Sequence, residues 1–189
     1  YLVGAEWARP HCIPVYGPGG VEVTRSTPGD HPHHRSIWIA QGLVNGCDNW
    51  SEEPGHARTV NRSCAVTAQG PVCAQLLAEN DWESPDGRPL LAETTRITVW
   101  NLPGEVRMMD WDITWTAAYG GVFFGDTKEA GTLSVRVAES MRVDQGGRMV
   151  NGYGGVGEGE CWGKPAPWVD YSGLSAGRHV GLAIFDHPA

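Results

Sequence analysis

Three histidines lie within four positions of the stretch DHPHHRSIW, residues 30–38, beside an aspartate and an arginine. Imidazole has an unperturbed pKa near neutrality, so it accepts or donates a proton without large tuning, and it is also the commonest metal ligand. The stretch therefore predicts a site of proton transfer or metal binding, with His31, His33 and His34 as catalytic candidates. The alternative is a polar loop whose histidines bond to neighbouring backbone.

The conformation of this stretch decides which histidines act together. Pro32 lacks a backbone N–H and biases His31 toward an extended conformation, so we expect the stretch to run extended over the rim of a sheet. Side chains alternate along an extended segment, which places His31 and His33 on one side and His34 on the other. His31 and His33 could then ligate a divalent metal, which is the one cofactor that the sequence suggests. The candidates for a third ligand are Asp30, His34, Glu129, Asp170 and His187.

A second polar group lies in the glycine-bounded stretch FGDTKEAG, residues 124–131. A carboxylate beside an ammonium could act as acid and base or hold a sugar hydroxyl. Lys128 and Glu129 are therefore catalytic candidates, and Asp126 is a candidate for substrate binding. The alternative is a solvated charged turn.

A third group is WGKPAPWVDYSG, residues 162–173, in which Lys164 lies between two tryptophans. Aromatic faces beside polar groups suit a pyranose, which has an apolar face and hydroxyl groups at its edge. Lys164 is the catalytic candidate here, and Trp162, Trp168 and Asp170 are candidates for substrate binding. The alternative is that the tryptophans fill the core.

Three more residues complete the predicted binding set. Arg35 and Trp38 follow the histidines directly, and His187 belongs to a second Asp-His-Pro triplet in FDHP, residues 185–188. We expect the histidines, the Lys128–Glu129 turn and the tryptophan-bracketed lysine to converge on one hollow of the fold.

Strand patterns dominate the chain that must position these groups. The clearest is EVRMMDWDITWTA, residues 105–117, where one face carries mainly large apolar side chains at a period of two, which no helix produces. Further strands, separated by turn residues, are expected at 56–68, 72–82, 90–101, 131–141 and 178–187. The glycine-rich stretches 119–131 and 150–173 are expected to be loops. This pattern predicts an all-β protein, an antiparallel β-sandwich, as a single domain over residues 1–189.

Composition excludes several classes of partner. The formal net charge is −8, with no stripe of lysine and arginine to neutralise phosphates, so nucleic acid is not an expected partner. No apolar run approaches the roughly 20 residues that span a bilayer, so we expect a soluble chain without a membrane partner. The cytoplasm and the periplasm both stay open, as does the oligomeric state. The five cysteines fall in no CxxC spacing, which argues against a zinc knuckle.

Five blocks carry a family resemblance over nearly the whole chain. They are RPHCIPVYGPGGVEVTR, DHPHHRSIWIAQGLVNGCDNW, FGDTKEAGTLSVRVAES, WGKPAPWVDYSG and VGLAIFDHP. In this order they resemble the bacterial PmoA-like family, whose label refers to methane oxygenase. The resemblance implies a galactose-mutarotase-like supersandwich and carbohydrate chemistry on a small-molecule sugar. Since such proteins usually continue past the FDHP block and the start reads as mid-chain, we expect the chain to be truncated at both ends relative to the family.

These observations favour an enzyme that acts on a sugar or sugar derivative, of hydrolase, lyase or epimerase type. One alternative is a non-catalytic carbohydrate-binding module, in which the tryptophans bind and the histidines brace the rim. Another is a metal-dependent oxygenase, as the family label suggests. That label conflicts with the sequence, because a particulate methane monooxygenase subunit needs membrane-spanning helices and no apolar run here would form one.

Overall fold

A computed structural model describes residues 1–129 and 131–187, and its architecture is all-β with antiparallel sheets. The strands of the described residues are β1 (His11–Cys12), β2 (Ile37–Ile39), β3 (Leu43–Val44), β4 (Cys47–Asp48), β5 (Arg58–Gln69), β6 (Cys73–Glu83), β7 (Pro89–Trp100), β8 (Met108–Thr116), β9 (Leu133–Val135), β10 (Arg148–Asn151), β11 (Trp168–Ser175) and β12 (Arg178–Phe185). Helical structure comprises α1 (Glu158–Cys161) and short 3-10 turns at Pro18–Gly20, Glu139–Met141 and Val143–Gln145. The predicted antiparallel all-β sandwich is confirmed.

The longest sheet is an antiparallel meander in the order β5-β6-β7-β8. Its strands form where the sequence alternates: along β8 the odd-numbered residues are half-buried and the even-numbered ones are exposed. The register pairs Asn80 with Glu93 and Glu93 with Trp115, so these side chains share the inner face. The predicted period of two is therefore correct for β8, and the face with the large apolar side chains is the half-buried one.

The inner face of the long sheet packs on the strands that carry the histidine stretch. Trp82 and Leu91 from the sheet form one core with Ile39 of β2 and Val44 of β3. Because β2 lies between β1 and β9 in a separate three-stranded sheet, two layers of strands enclose this core. The layer opposite the long sheet therefore contains β2, the strand that follows the histidines in sequence.

A second core lies under the sheet β10-β11-β12. Val180 packs with Val21, Val23, Val137 and Met141. The first two precede the histidine stretch in sequence, and the last two follow β9. Gly173 lies in β11 directly over Met141, and a Cβ there would stand 2.9 Å from the Met141 Cα. Glycine is therefore needed for this close approach.

Two stretches differ from the sequence prediction. The expected strand at 131–141 is short, because only Leu133–Val135 joins the sheet and a 3-10 turn begins at Glu139. The expected loop at 150–173 contains α1 and the first part of β11, since β11 pairs with strands on both sides. The expected loop at 119–131 includes Ala130, which lies outside the described residues. Within those residues, no helix has the length and apolar character needed to cross a bilayer.

Candidate functional site

The histidine turn, residues 28–34, consists of two successive tight turns. The His31 N–H donates to the Pro28 carbonyl at 3.1 Å, and the His34 N–H donates to the His31 carbonyl at 3.0 Å. Pro32 occupies the second position of the latter turn, where its fixed φ is favoured. The expected extended conformation is therefore wrong, because the turn preference of Pro32 prevails over its extended one.

The turn brings the three imidazoles together instead of dividing them between two faces. The His34 ring is central, with centroid distances of 4.7 Å to His31 and 4.7 Å to His33. On its other side it stacks on Trp38 at 5.0 Å, and the Trp50 ring stands edge-on at 5.9 Å. We refer to these five aromatic side chains as the histidine cluster.

One member of the cluster is oriented by a carboxylate. The His31 Nδ1 atom lies 3.1 Å from Asp30 Oδ2, which leaves Nε2 as the nitrogen that can accept a proton. The Asp30 carboxylate is held in turn by the guanidinium of Arg136 at 2.5 Å and by two further arginines, Arg25 and Arg142. Desolvation opposes ionisation of Asp30, but the hydrogen bonds from His31 and Arg136 hold its pKa well below the usual range. Asp30 is therefore ionised at neutral pH.

The other two histidines are held in the neutral form. Burial, reinforced by repulsion from His33 when that ring is protonated and from the Arg136 guanidinium, lowers the pKa of His34 to about 3. Burial also lowers the pKa of His33, with the Arg9 guanidinium acting in the same direction. At neutral pH both rings are therefore neutral imidazoles.

The low pKa of His34 predicts that stability falls as the pH falls. The unfolded chain binds a proton near pH 6.5 that folded His34 does not bind until about pH 3, so the folded state loses stability across this window. Since the ring is only half-buried, we expect a loss of roughly 1 kcal/mol between pH 6.5 and 4.5. Urea unfolding measured at several pH values tests this expectation. His34→Phe, which keeps an aromatic ring but cannot titrate, should flatten the pH dependence; parallel curves for the two proteins would contradict it.

An ion network lies behind the cluster. The Arg35 guanidinium donates to both carboxylate oxygens of Glu52, with Nε–Oε1 at 3.0 Å, and Arg9 Nη1 lies 3.4 Å from the same oxygen. Arg9 Nη2 also donates to the carbonyls of Asn49 and Trp50, both at 3.1 Å. This network, Arg9, Arg35 and Glu52, fixes the segment that carries Trp50 against the histidine turn.

Several buried side-chain atoms of the described residues make no hydrogen bond, although two of them, Arg9 Nη1 and Arg25 Nη2, form ion pairs with Glu52 and Asp30. Ten buried side-chain atoms of the described residues have no hydrogen bond, and they belong to Arg9, Arg25, Trp38, Asn49, His56, Thr59, Thr127 and Arg136. Three non-glycine residues beside the turn have positive φ: 49° at Thr27, 73° at Ser36 and 57° at Glu52. Unsatisfied buried groups and strained backbone are each unfavourable by roughly 1–3 kcal/mol and concentrate at functional sites. Among these residues Trp38 belongs to the cluster, Arg25 and Arg136 pair with Asp30, and Arg9 pairs with Glu52, so the histidine turn is the candidate site.

The loop with Lys128 and Glu129 reaches this region through its backbone. The Glu129 carbonyl accepts from the Gly42 N–H at 3.0 Å, and the Gly42 carbonyl accepts from the Asn49 N–H at 3.0 Å. A Cβ at residue 42 would overlap the Thr127 hydroxyl, so glycine is required there. Lys128 Nζ lies 3.4 Å from Glu129 Oε1 and is largely exposed. Asp126 is exposed as well.

The tryptophan-bracketed lysine lies between α1 and β11. Trp162 and Lys164 follow α1 and are exposed, whereas Trp168 and Asp170 are half-buried in β11. His187, also exposed, lies two residues beyond β12. No contact described above joins Trp162, Lys164, Trp168 or Asp170 to the histidine cluster. Backbone contacts thus link the histidine stretch to the loop with Lys128 and Glu129. The group with Lys164 lies at the sheet β10-β11-β12.

A family model described as "Family of unknown function (DUF6807)" matches residues 1–189. The chain belongs to the DUF6807 family. Comparisons with curated proteins and with solved structures gave no match. What this DUF6807 protein does must therefore be argued from its own side chains.

Sequence reasoning missed the segment that completes the site of this DUF6807 protein. Asp48 Oδ1 accepts from the backbone N–H of Trp50 and of Ser51, a local turn that positions the Trp50 ring. The Asp-Asn-Trp-Ser order was a usable signal for such a turn. Nothing local indicated that Arg9, 40 positions away, would bind the Asn49 carbonyl.

The donor set of this DUF6807 protein does not fit the predicted metal. Among residues 1–129 and 131–187, no three histidine, cysteine, aspartate or glutamate side chains stand where they could share an ion. Asp30 is engaged by arginines, and the rings of His31 and His33 meet edge to face at 5.8 Å. A metal ligated by His31 and His33 therefore lacks a third protein ligand, and no step through a metal follows. The described cysteines are all free thiols.

Proposed function

We propose that this DUF6807 protein is a carbohydrate-active enzyme, of hydrolase, lyase or epimerase type, that acts on a sugar or sugar derivative at the histidine cluster. The observation that supports the proposal is the Asp30–His31 pair, at 3.1 Å, on a turn packed against tryptophans. A carboxylate that orients one imidazole nitrogen leaves the other as a base with a defined direction.

Each histidine of the cluster would have a different role in the reaction. His31 Nε2 would remove a proton from a hydroxyl or from a carbon next to a carbonyl, since its side chain is 48% exposed and can be reached by a ligand. His33, whose ring stands edge-on 6.2 Å from Trp50, would return the proton or hold a hydroxyl. His34, stacked between His31 and Trp38, would support both rings rather than react.

The surroundings suit a polar ligand with an apolar face. Trp50 would contribute an aromatic face for the ring of a sugar, and Arg35 and Trp38 would fix the cluster from behind. The Lys128–Glu129 pair, whose backbone adjoins the Trp50 segment, would hold a hydroxyl at the edge of the site. We propose a small-molecule carbohydrate as the partner for these reasons.

Turnover of a sugar panel by wild type and variants tests the proposal. Neutral sugars, uronic acids and short oligosaccharides, incubated in D2O and followed by NMR, would report hydrolysis, elimination and exchange of carbon-bound protons. His31→Ala should lower turnover by at least about a hundredfold, which is typical for loss of a general base, and Asp30→Asn should lower it less. His33→Ala should lower turnover while sparing affinity.

The matched control is His179→Ala, which removes an exposed histidine on β12. It should keep wild-type turnover. Turnover that survives His31→Ala, or that falls equally in the control, would contradict the assignment of His31.

A non-catalytic carbohydrate-binding module is the second candidate. The observation that favours it is the stacking of neutral His34 between His31 and Trp38, which is what a bracing role requires. Under this alternative the protein binds sugars, turns none of them over, and keeps its affinity in His31→Ala. A metal-dependent oxygenase has no such support, and elemental analysis of the purified protein, with a transition metal under about a tenth of an equivalent, would remove it.

A further inference from the structure

A second feature, outside the histidine cluster, is the aromatic loop, residues 151–164. Asn151 in β10 is 5% exposed, and its side chain fixes the backbone of this loop. Its side-chain oxygen accepts from the N–H of Tyr153 at 3.1 Å and of Gly155 at 2.9 Å, and its amide donates to the Glu160 carbonyl at 3.4 Å. Buried Cys161 then anchors the end of α1. The loop is therefore a built structure and not a flexible connection.

This ordered loop presents two aromatic rings to solvent. Tyr153 is 78% exposed and Trp162 is 65% exposed. Of the nine tryptophans in the chain, Trp162 is the one found among the exposed large side chains. Rigid exposed aromatic rings offer a large contact area at a small entropic cost, and such surfaces are typical of binding sites.

The polar residues around the rings indicate what would cover them. Glu158, Glu160 and Lys164 are exposed in the same loop, so the loop offers hydrogen-bonding groups as well as aromatic faces. Apart from Val156, which is 51% exposed, the exposed side chains beside the rings in this loop are charged, unlike the charge-depleted core of an interface that docks a protein. The excess of carboxylates disfavours an acidic ligand.

We propose that the aromatic loop is a binding surface for a neutral oligosaccharide, separate from the histidine cluster, with Tyr153 and Trp162 stacking on the faces of sugar rings. The hydroxyl groups of the oligosaccharide bind the flanking carboxylates and Lys164. This surface holds a glycan chain whether or not the histidine cluster reacts with it.

Affinity electrophoresis of the full chain tests this surface. Native gels would contain, one at a time, hydroxyethyl cellulose, xylan, galactomannan or a β-1,3-glucan as neutral probes. At least one probe should retard the wild type, and Trp162→Ala and Tyr153→Ala should each weaken the retardation by about tenfold or more. Phe123→Ala, which removes a 70% exposed ring elsewhere on the surface, is the matched control and should migrate as wild type.

The outcomes separate this surface from the proposed catalytic site. His31→Ala should be retarded as wild type even if it loses all turnover, because the two sites are distinct. The proposal is overturned if no probe retards the wild type, if both loop variants are retarded normally, or if Phe123→Ala loses retardation to the same extent. Circular dichroism of each variant verifies that a loss of retardation does not come from unfolding.

Discussion

Replacing Glu52 with alanine is expected to lower the free energy of unfolding by about 3–5 kcal/mol, the range for removing one partner of a buried ion pair. The Glu52 side chain is 13% exposed and neutralises Arg35 and Arg9, whose side chains are 10% and 1% exposed. Burial already lowers the pKa of Arg9 to about 10, so Arg9 remains charged at neutral pH. Without Glu52, the two buried guanidinium groups would lose the carboxylate that pairs with both, and Arg9 would keep only the weaker attraction of Asp48. Urea unfolding followed by tryptophan fluorescence measures the loss.

Two further variants separate the effect of the lost Glu52 charge from the effect of backbone strain at position 52. Glu53→Ala removes the adjacent exposed carboxylate and should change stability by no more than about 0.5 kcal/mol. Glu52→Gly removes the same charge but accepts the φ of 57°, so it should be about 1 kcal/mol more stable than Glu52→Ala. If all three variants unfolded like wild type, the ion network would not hold the Trp50 segment.

The strands were predictable because their signal is local. The alternation along residues 105–117 predicted β8, and the meander β5-β6-β7-β8 follows from hairpins between neighbours in sequence. By contrast, β11 starts within a glycine- and proline-rich stretch, and its extended shape depends on β10 and β12 on either side. Tertiary pairing there overrides the local composition.

The candidate site was predictable only in part, because some of its contacts join residues that are far apart in sequence. Three close histidines are visible in any sequence, and they do form one cluster. Pro32 has two local preferences: it favours the second position of a turn, and it favours an extended conformation of the residue before it. The sequence does not show which preference prevails, so the conformation of the histidines could not be predicted. The ion partner of Arg35 is Glu52, 17 positions away, and no periodic pattern connects the two. Long-range ion pairs of this kind follow from the fold and not from spacing.

Glu93 is the second position where a substitution should have a large effect, this time in the core of the long sheet. Its side chain is 2% exposed, and its carboxylate has no cationic partner among the contacts described. Four donors saturate it: the amide of Asn80 at 2.8 Å, the hydroxyl of Thr95 at 2.9 Å, and the indoles of Trp82 at 2.9 Å and Trp115 at 3.1 Å. The carboxyl group is thus held by neutral dipoles, in contrast to the buried atoms without hydrogen bonds around the histidine turn.

Glu93→Leu should therefore lower the free energy of unfolding by at least about 4 kcal/mol, because it leaves four buried donors without an acceptor. Glu93→Gln keeps the shape and one acceptor oxygen, so about half of that loss is expected, and it remains informative if the leucine variant does not fold. Glu79→Gln on β6, an exposed position in the same sheet, is the control and should stay within about 0.5 kcal/mol of wild type. Near-ultraviolet circular dichroism adds a direct readout, since the two indoles that bind Glu93 should lose their fixed geometry. A Glu93→Gln variant as stable as wild type would contradict the expected loss, and a Glu93→Leu variant as stable as wild type would show that the four hydrogen bonds add nothing to folding.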